Sequence, residues 1–432
     1  MDISYTAACY VHGFEEFIAA NHIVATVEFK QELNPTKVFT SYKKLILQNP
    51  NLRVKWGENE KKGTFAWTHF SESEVDELLK LEKDAIMNTT PRDEIFKEYH
   101  ATNSRLPFRI IRIDQRTLAF SWNHIMNNGT LLHSWFHSWL CYYAKESNQV
   151  LTSEQPPVFK TLSPLSRMKY WLFAPFWAIL HLISLGGKSG KNPGANTVDL
   201  THGKKTVPHR SGYSIKTYHF SPEETQKILE ASKTKGLTVS GFLCGVFLTS
   251  LFEKSPDKNR ILVNFPVDFR KHLAGTTPYD VGNYTGSVIF QVFKDRKQTI
   301  HRQIEKALRK LKRGVPYGVM RILNFVFRLN KSKLKKMFRE VAAQSIPERA
   351  PVQNLTCVFA FIDDIDSPAG HQMIEKMSFT GFHQTVVICL LIVNGKLSIE
   401  ISLPNDLMDP VEVFSITDLA ADRLKLPAKG RD

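Results

Sequence analysis

Hydrophobic and polar positions repeat along the chain with two different periods, and these periods predict a succession of strands and helices. Strict alternation of apolar and polar residues predicts half-buried strands, whereas apolar residues spaced three or four apart predict helices with one apolar face. Strands are predicted at 23–29, 52–56, 64–69, 107–114, 117–122, 214–220, 260–267, 287–293, 356–362, 385–393 and 396–403. Helices are predicted at 35–49, 73–81, 131–145, 222–235, 242–252 and 411–426. Together they predict a protein of the α/β (α+β) class.

Local capping signals define some of the helix boundaries. Ser221 before Pro222 is a favourable helix start, because serine caps the first turn and proline fits the first helical position. Gly236 is expected to end that helix, since glycine adopts the left-handed conformation common after a helix. Thr238 or Ser240 is expected to cap the helix that follows.

The length of 432 residues predicts two domains, because single hydrophobic cores stop growing at about 250–300 residues. A stretch rich in Gly, Lys, Asn, Pro and Ser runs from Gly186 to Gly212 and has the composition of a linker. We therefore predict a first lobe at 1–190, a linker at 191–212 and a second lobe at 213–432.

The formal net charge of +15 indicates an acidic partner, such as an anionic membrane, a phosphorylated cofactor or an acidic carrier protein. Much of the charge lies in the segment from Lys294 to Arg339, which contains 16 Lys or Arg against two acids. The sequence has no zinc-finger spacing, RNP-like motif or basic zipper, so nucleic acid is not expected as a partner.

Cysteine usage predicts a reducing compartment. The five cysteines are odd in number, scattered and mostly in apolar runs, which favours buried thiols over a disulfide framework. The first residues contain no basic segment followed by an apolar one, so a secretory signal is not expected. The predicted location is the cytoplasm, with a peripheral position at a membrane as an alternative.

That alternative depends on the most apolar stretch of the chain, Met168 to Leu185. It is slightly short for a bilayer span and is interrupted by Pro175 and His181. Its Trp residues and flanking Lys and Arg residues are typical of a segment in a membrane interface. A buried helix, or a lid over an apolar tunnel, explains the pattern equally well.

The clearest candidate for chemistry is His124, between the strand predicted at 117–122 and the helix predicted at 131–145. A side chain at such a junction can be held firmly and still be reached by a substrate. Histidine is a suitable general base, because its pKa of about 6.5 leaves it neutral near pH 7. Asn128 can fix the loop by a local hydrogen bond, and Gly129 supplies backbone freedom. By itself the pattern also fits a histidine satisfied within a turn.

No metal site is expected. His133 and His137 have helical ligand spacing, but no Glu lies between them and no third ligand is nearby. Asp363, Asp364 and Asp366 directly follow a predicted strand, where aspartate is a favoured turn residue.

The stretch from His124 to Gly129 resembles the HxxxDG signature of the CoA-dependent acyltransferase superfamily. That superfamily includes chloramphenicol acetyltransferase, peptide-synthetase condensation domains, plant-type alcohol acyltransferases and bacterial wax-ester synthases. Two further segments strengthen the resemblance. Asp268 and Arg270 look like the Asp-x-Arg segment of the family's second lobe, and Asn283 lies in a Gly-Asn turn like the one that follows it.

The resemblance implies two chloramphenicol-acetyltransferase-like lobes, each a mixed, mostly antiparallel sheet flanked by helices, with a tunnel between them. It implies that His124 deprotonates an acceptor hydroxyl or amine, which then attacks the carbonyl of an acyl thioester. Asp268, Arg270 and Asn283 would support the site. The implied partners are acyl-CoA or an acyl-carrier protein as co-substrate and a small hydrophobic alcohol or amine. No bound cofactor is implied.

The sequence departs from the family at Asn128, where the signature has aspartate. In the family this aspartate is mainly structural and pairs with the arginine of Asp-x-Arg. An asparagine can still hydrogen-bond Arg270, but without the charge-assisted part of that contact. We expect a working acyltransferase with His124, Asn128 and Gly129 at its site. The alternative is a catalytically impaired relative that binds an acyl carrier or a lipid.

Overall fold

The computed structural model describes the protein at residues 22–59, 64–95, 105–123, 135–144, 176, 179, 196–200, 206–208, 212–268, 285–294, 298–312, 349–351, 357–362, 373–381 and 385–425. Its first half contains β1 (His22–Phe29), α1 (Pro35–Gln48), β2 (Val54–Asn59), β3 (Thr64–His69), α2 (Glu72–Met87), α3 (Arg92–Ile95), β4 (Phe108–Arg112), β5 (Thr117–Asn123) and α4 (Trp135–Ala144).

The second half contains β6 (Thr206–Pro208), β7 (Tyr213–His219), α5 (Pro222–Thr234), α6 (Val239–Lys254), β8 (Arg260–Asp268), β9 (Thr285–Phe293), α7 (Ile300–Lys312), β10 (Arg349–Pro351), β11 (Cys357–Ile362), β12 (Ile374–Gly381), β13 (Val386–Val393), β14 (Lys396–Pro404) and α8 (Pro410–Lys425). Mixed α/β architecture with largely antiparallel sheets is therefore confirmed. The lobe boundaries themselves stay a prediction.

The first sheet has four antiparallel strands in the order β12-β1-β5-β4. Strands β4 and β5 form the predicted hairpin, and β5 lies in the interior of the sheet, between β1 and β4. Ile23 of β1 pairs with Trp122 of β5 on one side and with Gly381 of β12 on the other. Because β12 comes from the last quarter of the chain, it joins distant parts of the sequence in one sheet.

One face of the first sheet packs on helices α1, α2 and α4 to form the first hydrophobic core. Alternate residues of β1 and β5 enter this core, as period-two strands require. Tyr42, Trp122 and Trp139 are among its largest fully buried side chains. The sequence pattern predicted these helices, and α2 extends to Met87, six residues beyond the predicted end.

The second sheet has six strands in the order β7-β14-β13-β11-β8-β9. Strand β11 runs parallel to β13 and β8, and the remaining pairs are antiparallel, so the sheet is mixed. The tight turn between β13 and β14 has Asn394 and Gly395 at φ 54° and 70°, which asparagine and glycine tolerate best. Helices α5, α6, α7 and α8 cover one face and form the second core.

The two cores meet at β13. Its residues alternate between them: Val387, Cys389 and Leu391 belong to the first core, and Ile388 and Leu390 to the second. A smaller apolar cluster joins the other face of the first sheet to β7 of the second, with Val24 and Ala119 packed near Tyr213 and Ile215. The two sheets are therefore joined by buried apolar contacts in addition to the covalent connections of the chain.

Candidate functional site

The structure confirms the two elements on either side of the histidine motif. Strand β5 ends at Asn123, which pairs with His22 of β1, and the described part of helix α4 begins at Trp135. His124, Asn128 and Gly129 lie outside the described residues. The motif therefore connects an interior strand of the first sheet to a core helix.

Aromatic packing holds these two flanking elements against each other. The ring of Phe120 on β5 lies edge-on to Phe136 and Trp139 of α4, with centroids 4.8 and 5.1 Å apart. Phe108 of β4 contacts Trp135 in the same way at 5.8 Å. Such pairs contribute about 0.5–1.5 kcal/mol each beyond the burial of their area. The two elements that flank the motif in sequence, β5 and α4, are consequently held together in the first core.

The second-lobe residues of the resemblance lie on or between two paired strands. Asp268 is the last residue of β8 and pairs with Thr285, the first residue of β9. Arg270 and Asn283 fall in the connection 269–284, outside the described residues. Because Asp268 and Thr285 are partners in the sheet, this connection leaves and re-enters the sheet at adjacent positions.

Where the two sheets meet, a buried carboxylate joins four elements. Glu400 of β14 accepts hydrogen bonds from Arg92 of α3 at 3.0 Å, from the Thr217 hydroxyl of β7 at 2.9 Å and from the Ser378 hydroxyl of β12. Burial raises the pKa of Glu400, while the Arg92 charge and these hydrogen bonds oppose the rise. We call these four residues the Glu400 cluster.

Further polar contacts continue along the same meeting line. The Ser402 hydroxyl of β14 donates to the carbonyl of Gly381 on β12 at 2.8 Å, and His219 Nδ1 lies 2.9 Å from Ser398 Oγ. Burial, followed by the charge of Lys376, lowers the pKa of His219. The Ser402 bond ties β12 of the first sheet to β14 of the second, whereas the His219 contact joins β7 to β14 within the second sheet.

The Glu400 cluster was not predicted from the sequence, although a signal was present. Polar Ser398, Glu400 and Ser402 alternate with apolar residues along β14, and all three are buried. An acid in the middle of a buried strand requires partners, because unpaired buried charge is strongly unfavourable. What the sequence could not supply was the identity of those partners, which lie 22 to 308 positions away.

A second buried ion pair, Glu82 with Arg109, lies at the first sheet. Arg109 Nε is 2.9 Å from both carboxylate oxygens of Glu82, and both side chains are almost fully buried. The pair joins α2 to β4 and supports the strand next to β5.

Among the residues that the structure describes, no group of three His, Cys, Asp or Glu side chains is arranged to hold a metal ion. Cys141, Cys244 and Cys389 are buried free thiols, which confirms the prediction for these three cysteines. Burial raises the pKa of the Cys389 thiol, so it is not a ready nucleophile.

With this geometry established, known proteins provide a comparison. Residues 211–402 match the family described as phthiocerol/phthiodiolone dimycocerosyl transferase C-terminus. A search of curated protein sequences found no significant match.

Solved structures resemble the chain over nearly its whole length. A trichothecene 15-O-acetyltransferase from Fusarium sporotrichioides is 12% identical with a TM-score of 0.65, covering 97% of this chain and 94% of that one. The two chains therefore share a fold.

Two other solved structures show the same likeness. The first condensation domain of the CDA synthetase is 10% identical with a TM-score of 0.63, covering 99% of this chain and 97% of that one. Polyketide synthase associated protein 5 from Mycobacterium tuberculosis is 13% identical with a TM-score of 0.58, covering 96% and 98%. The family match is confined to residues 211–402, and these solved structures show the fold of the chain.

In the described part of the chain, no single helix combines the length and apolar composition needed to cross a bilayer. The consecutive helices α5 and α6 meet these criteria only as a pair, and they are bent by 94°.

Proposed function

We propose that this protein transfers an acyl group from a CoA or carrier-protein thioester to a hydroxyl or amine of a hydrophobic acceptor, with His124 as general base. The observation that carries the proposal is the position of His124 directly after β5, an interior strand of a superfamily fold. The aromatic contacts on both sides of the motif loop support it, because a general base must be held within hydrogen-bond reach of its proton.

In the proposed reaction, His124 removes the proton from the acceptor as its oxygen or nitrogen attacks the thioester carbonyl. The tetrahedral intermediate then collapses, the carbon–sulfur bond breaks, and the proton passes from the histidine to the departing thiolate. No acyl-enzyme forms. Asn128 and Gly129 would set the loop, Arg270 would hold Asn128, and Asp268 and Asn283 would shape the second-lobe segment around them.

Thiol release tests the role of the histidine. Purified protein given acyl-CoA and a panel of hydrophobic alcohols and amines should release free CoA together with acylated acceptor, detected with a thiol reagent and by mass spectrometry. His124→Ala should lower this rate by about 10²–10⁴-fold, the usual contribution of a general base. His69→Ala, which removes an exposed histidine on β3, serves as the matched control and should retain full activity. Equal turnover by both variants would remove His124 from the mechanism.

Asn128 favours one second candidate function, a relative that binds an acyl carrier or lipid without turning it over. That role predicts tight binding of the acylated carrier and no thiol release, either by the natural chain or by Asn128→Asp. Catalysis predicts that Asn128→Asp remains active, because aspartate restores a charge-assisted contact to Arg270. The two functions are separated by measuring binding and thiol release on the same preparation.

A further inference from the structure

Helix α7 presents a cationic face to solvent. Arg302, Lys306 and Arg309 are all exposed and lie four and three residues apart, which places them on one side of the helix. The opposite side, with Ile304 and Ala307, is buried in the second core. The exposed side of α7 therefore carries long cationic side chains, and the packing of the opposite side on the second core holds the helix in place.

The single acid of this helix does not neutralise that face. Glu305 Oε1 accepts hydrogen bonds from the Thr238 backbone N–H at 2.8 Å and from the Thr238 hydroxyl at 2.6 Å. Glu305 is thus engaged at the start of α6, where a negative charge is favourable for the helix dipole. Its orientation leaves the positive charges of α7 uncompensated from within the helix.

Two more exposed cations, Lys233 and Lys235, lie at the end of α5. Lys235 is close enough to α7 for its charge to add to burial in lowering the pKa of His301. We call Lys235, Arg302, Lys306 and Arg309 the α7 cationic surface. Among the described residues, none of the four has an acidic side chain within ion-pair distance.

The composition of this surface argues against a protein partner. Stable protein interfaces have an apolar, aromatic-rich centre from which lysine is depleted. Within the described chain, the large exposed hydrophobic residues lie elsewhere than on α5, α6 or α7. Charge without an apolar anchor suits a diffuse array of anionic groups, such as lipid headgroups or a nucleic-acid backbone.

Phe176 and Ile179 favour lipid over nucleic acid. They belong to the most apolar stretch of the sequence, yet they are helical and 56% and 50% exposed. Residues three apart on a helix share one face. An aliphatic side chain such as Ile179 gains nothing from a phosphate backbone, whereas both side chains can enter the acyl boundary of a bilayer.

We propose that this protein binds the surface of an anionic bilayer. The α7 cationic surface supplies attraction to the headgroups, and Phe176 with Ile179 supplies apolar insertion, since stable attachment usually takes two such signals. Binding of this kind positions the protein where hydrophobic alcohols and amines concentrate. Membrane binding requires no acyl transfer, so it can be tested independently of the proposed reaction.

Vesicle co-sedimentation tests the proposal directly. The full chain should bind phosphatidylcholine vesicles that contain about one-third phosphatidylserine, fail to bind pure phosphatidylcholine, and bind more weakly as salt rises. The triple substitution Arg302→Gln, Lys306→Gln, Arg309→Gln should weaken binding by roughly fivefold for each charge removed, or about a hundredfold in total. The double substitution Phe176→Ser, Ile179→Ser should weaken it by roughly tenfold.

The matched control removes the same charge elsewhere. Lys30, Lys43 and Lys80 are exposed in the first half of the chain, and their replacement by glutamine should change vesicle binding by less than about fivefold. Circular dichroism and thermal melts confirm that each variant is folded. Equal losses in both triple variants would show that net charge alone acts, and would overturn the assignment to α7. Salt-insensitive binding, unchanged binding by the Phe176 and Ile179 variant, or preference for an RNA oligonucleotide over vesicles would overturn the bilayer proposal.

Discussion

Gly245 lies inside helix α6, where glycine costs about 0.5–1 kcal/mol relative to alanine. The ring of His301 on α7 occupies the space in which a Cβ on Gly245 would stand. That ring also stacks on Phe242, with centroids 5.9 Å apart. The glycine is therefore explained by the close approach of the two helices, and its cost to α6 is offset by the packing of His301.

This contact predicts non-additive behaviour. Gly245→Ala alone should lower the free energy of unfolding by about 1–3 kcal/mol, because the His301 ring must move from a packed position. In a His301→Ala background, the same Gly245→Ala change should instead stabilise the protein by up to about 1 kcal/mol through helix propensity. Urea unfolding of the four proteins in the cycle measures the difference. Additive effects would mean that the ring moves away freely.

At the scale of elements, helix starts show how a few residues define a boundary. Ser221 and Glu224 form a capping box, in which the Ser221 hydroxyl accepts from the Glu224 N–H and the Glu224 carboxylate accepts from the Ser221 N–H. The same arrangement joins Ser71 and Glu74 at α2. The sequence predicted both the Ser221 start and the Gly236 end, and the structure confirms the end with Gly236 at φ 64° beyond the last helical residue.

Ser221→Ala should lower the free energy of unfolding by about 1 kcal/mol, because the Glu224 N–H loses the hydroxyl that accepts its hydrogen bond. Ser221→Asp keeps an acceptor at the cap and should stay close to the natural protein. Ser415→Ala, a serine inside α8, is the comparison, since its hydroxyl donates to the carbonyl of Glu412 within the same helix and caps no helix end. Chemical unfolding that gives the same loss for Ser221→Ala and Ser221→Asp would contradict the capping role.

Elements with local signals were predictable, and those defined by distant partners were not. The β13–β14 hairpin and the helix after Ser221 follow from turn and cap residues close in sequence. Strand β12 was missed, although Met377 and Phe379 alternate with polar residues. Its place in the first sheet depends on pairing with β1, about 350 residues earlier, and periodicity alone cannot reveal such a partner.

The candidate site shows the same division. A histidine between a strand and a helix could be read directly from the sequence, because β5 and α4 both have strong periodic patterns. The aromatic contacts that anchor these elements pair Phe108 with Trp135 and Phe120 with Trp139. Their residue types suggested a core, but their pairing depends on how the sheet and helix pack. The roles of Asn128 and Arg270 stay predictions.

At the scale of the whole molecule, the contact between the two sheets determines the geometry of any site that lies between them. The Glu400 cluster connects α3, β7, β12 and β14, and only Arg92 among its members carries a charge that opposes the burial of the carboxylate. The charges of Lys376, Glu28 and Lys396 lie close enough to the same line to influence the pKa of His219. The contact between the two sheets is therefore sensitive to the protonation state of Glu400.

Because the pKa of Glu400 is raised in the folded protein, the folded state holds this proton more tightly than the unfolded chain does. The proton bound to Glu400 stabilises the fold fully below the pKa of the unfolded chain, about 4.3. This contribution is lost as pH rises through the pKa of the folded state. Glu400→Gln does not titrate. The free energy of unfolding of the natural protein, minus that of Glu400→Gln, should therefore fall as pH rises from about 4.5 to 8.

Two further variants serve as controls for the pH dependence measured with Glu400→Gln. Arg92→Gln removes the main opposing charge, so the pKa of Glu400 should rise further and the loss of stability should extend to higher pH. Glu74 has the opposite shift, since its partners lower its pKa to about 2, and the difference between the natural protein and Glu74→Gln should stay constant over the same range. If the difference in the free energy of unfolding between the natural protein and Glu400→Gln is equally constant, Glu400 ionises as easily in the folded protein as in water. The contact between the two sheets would then hold a full negative charge.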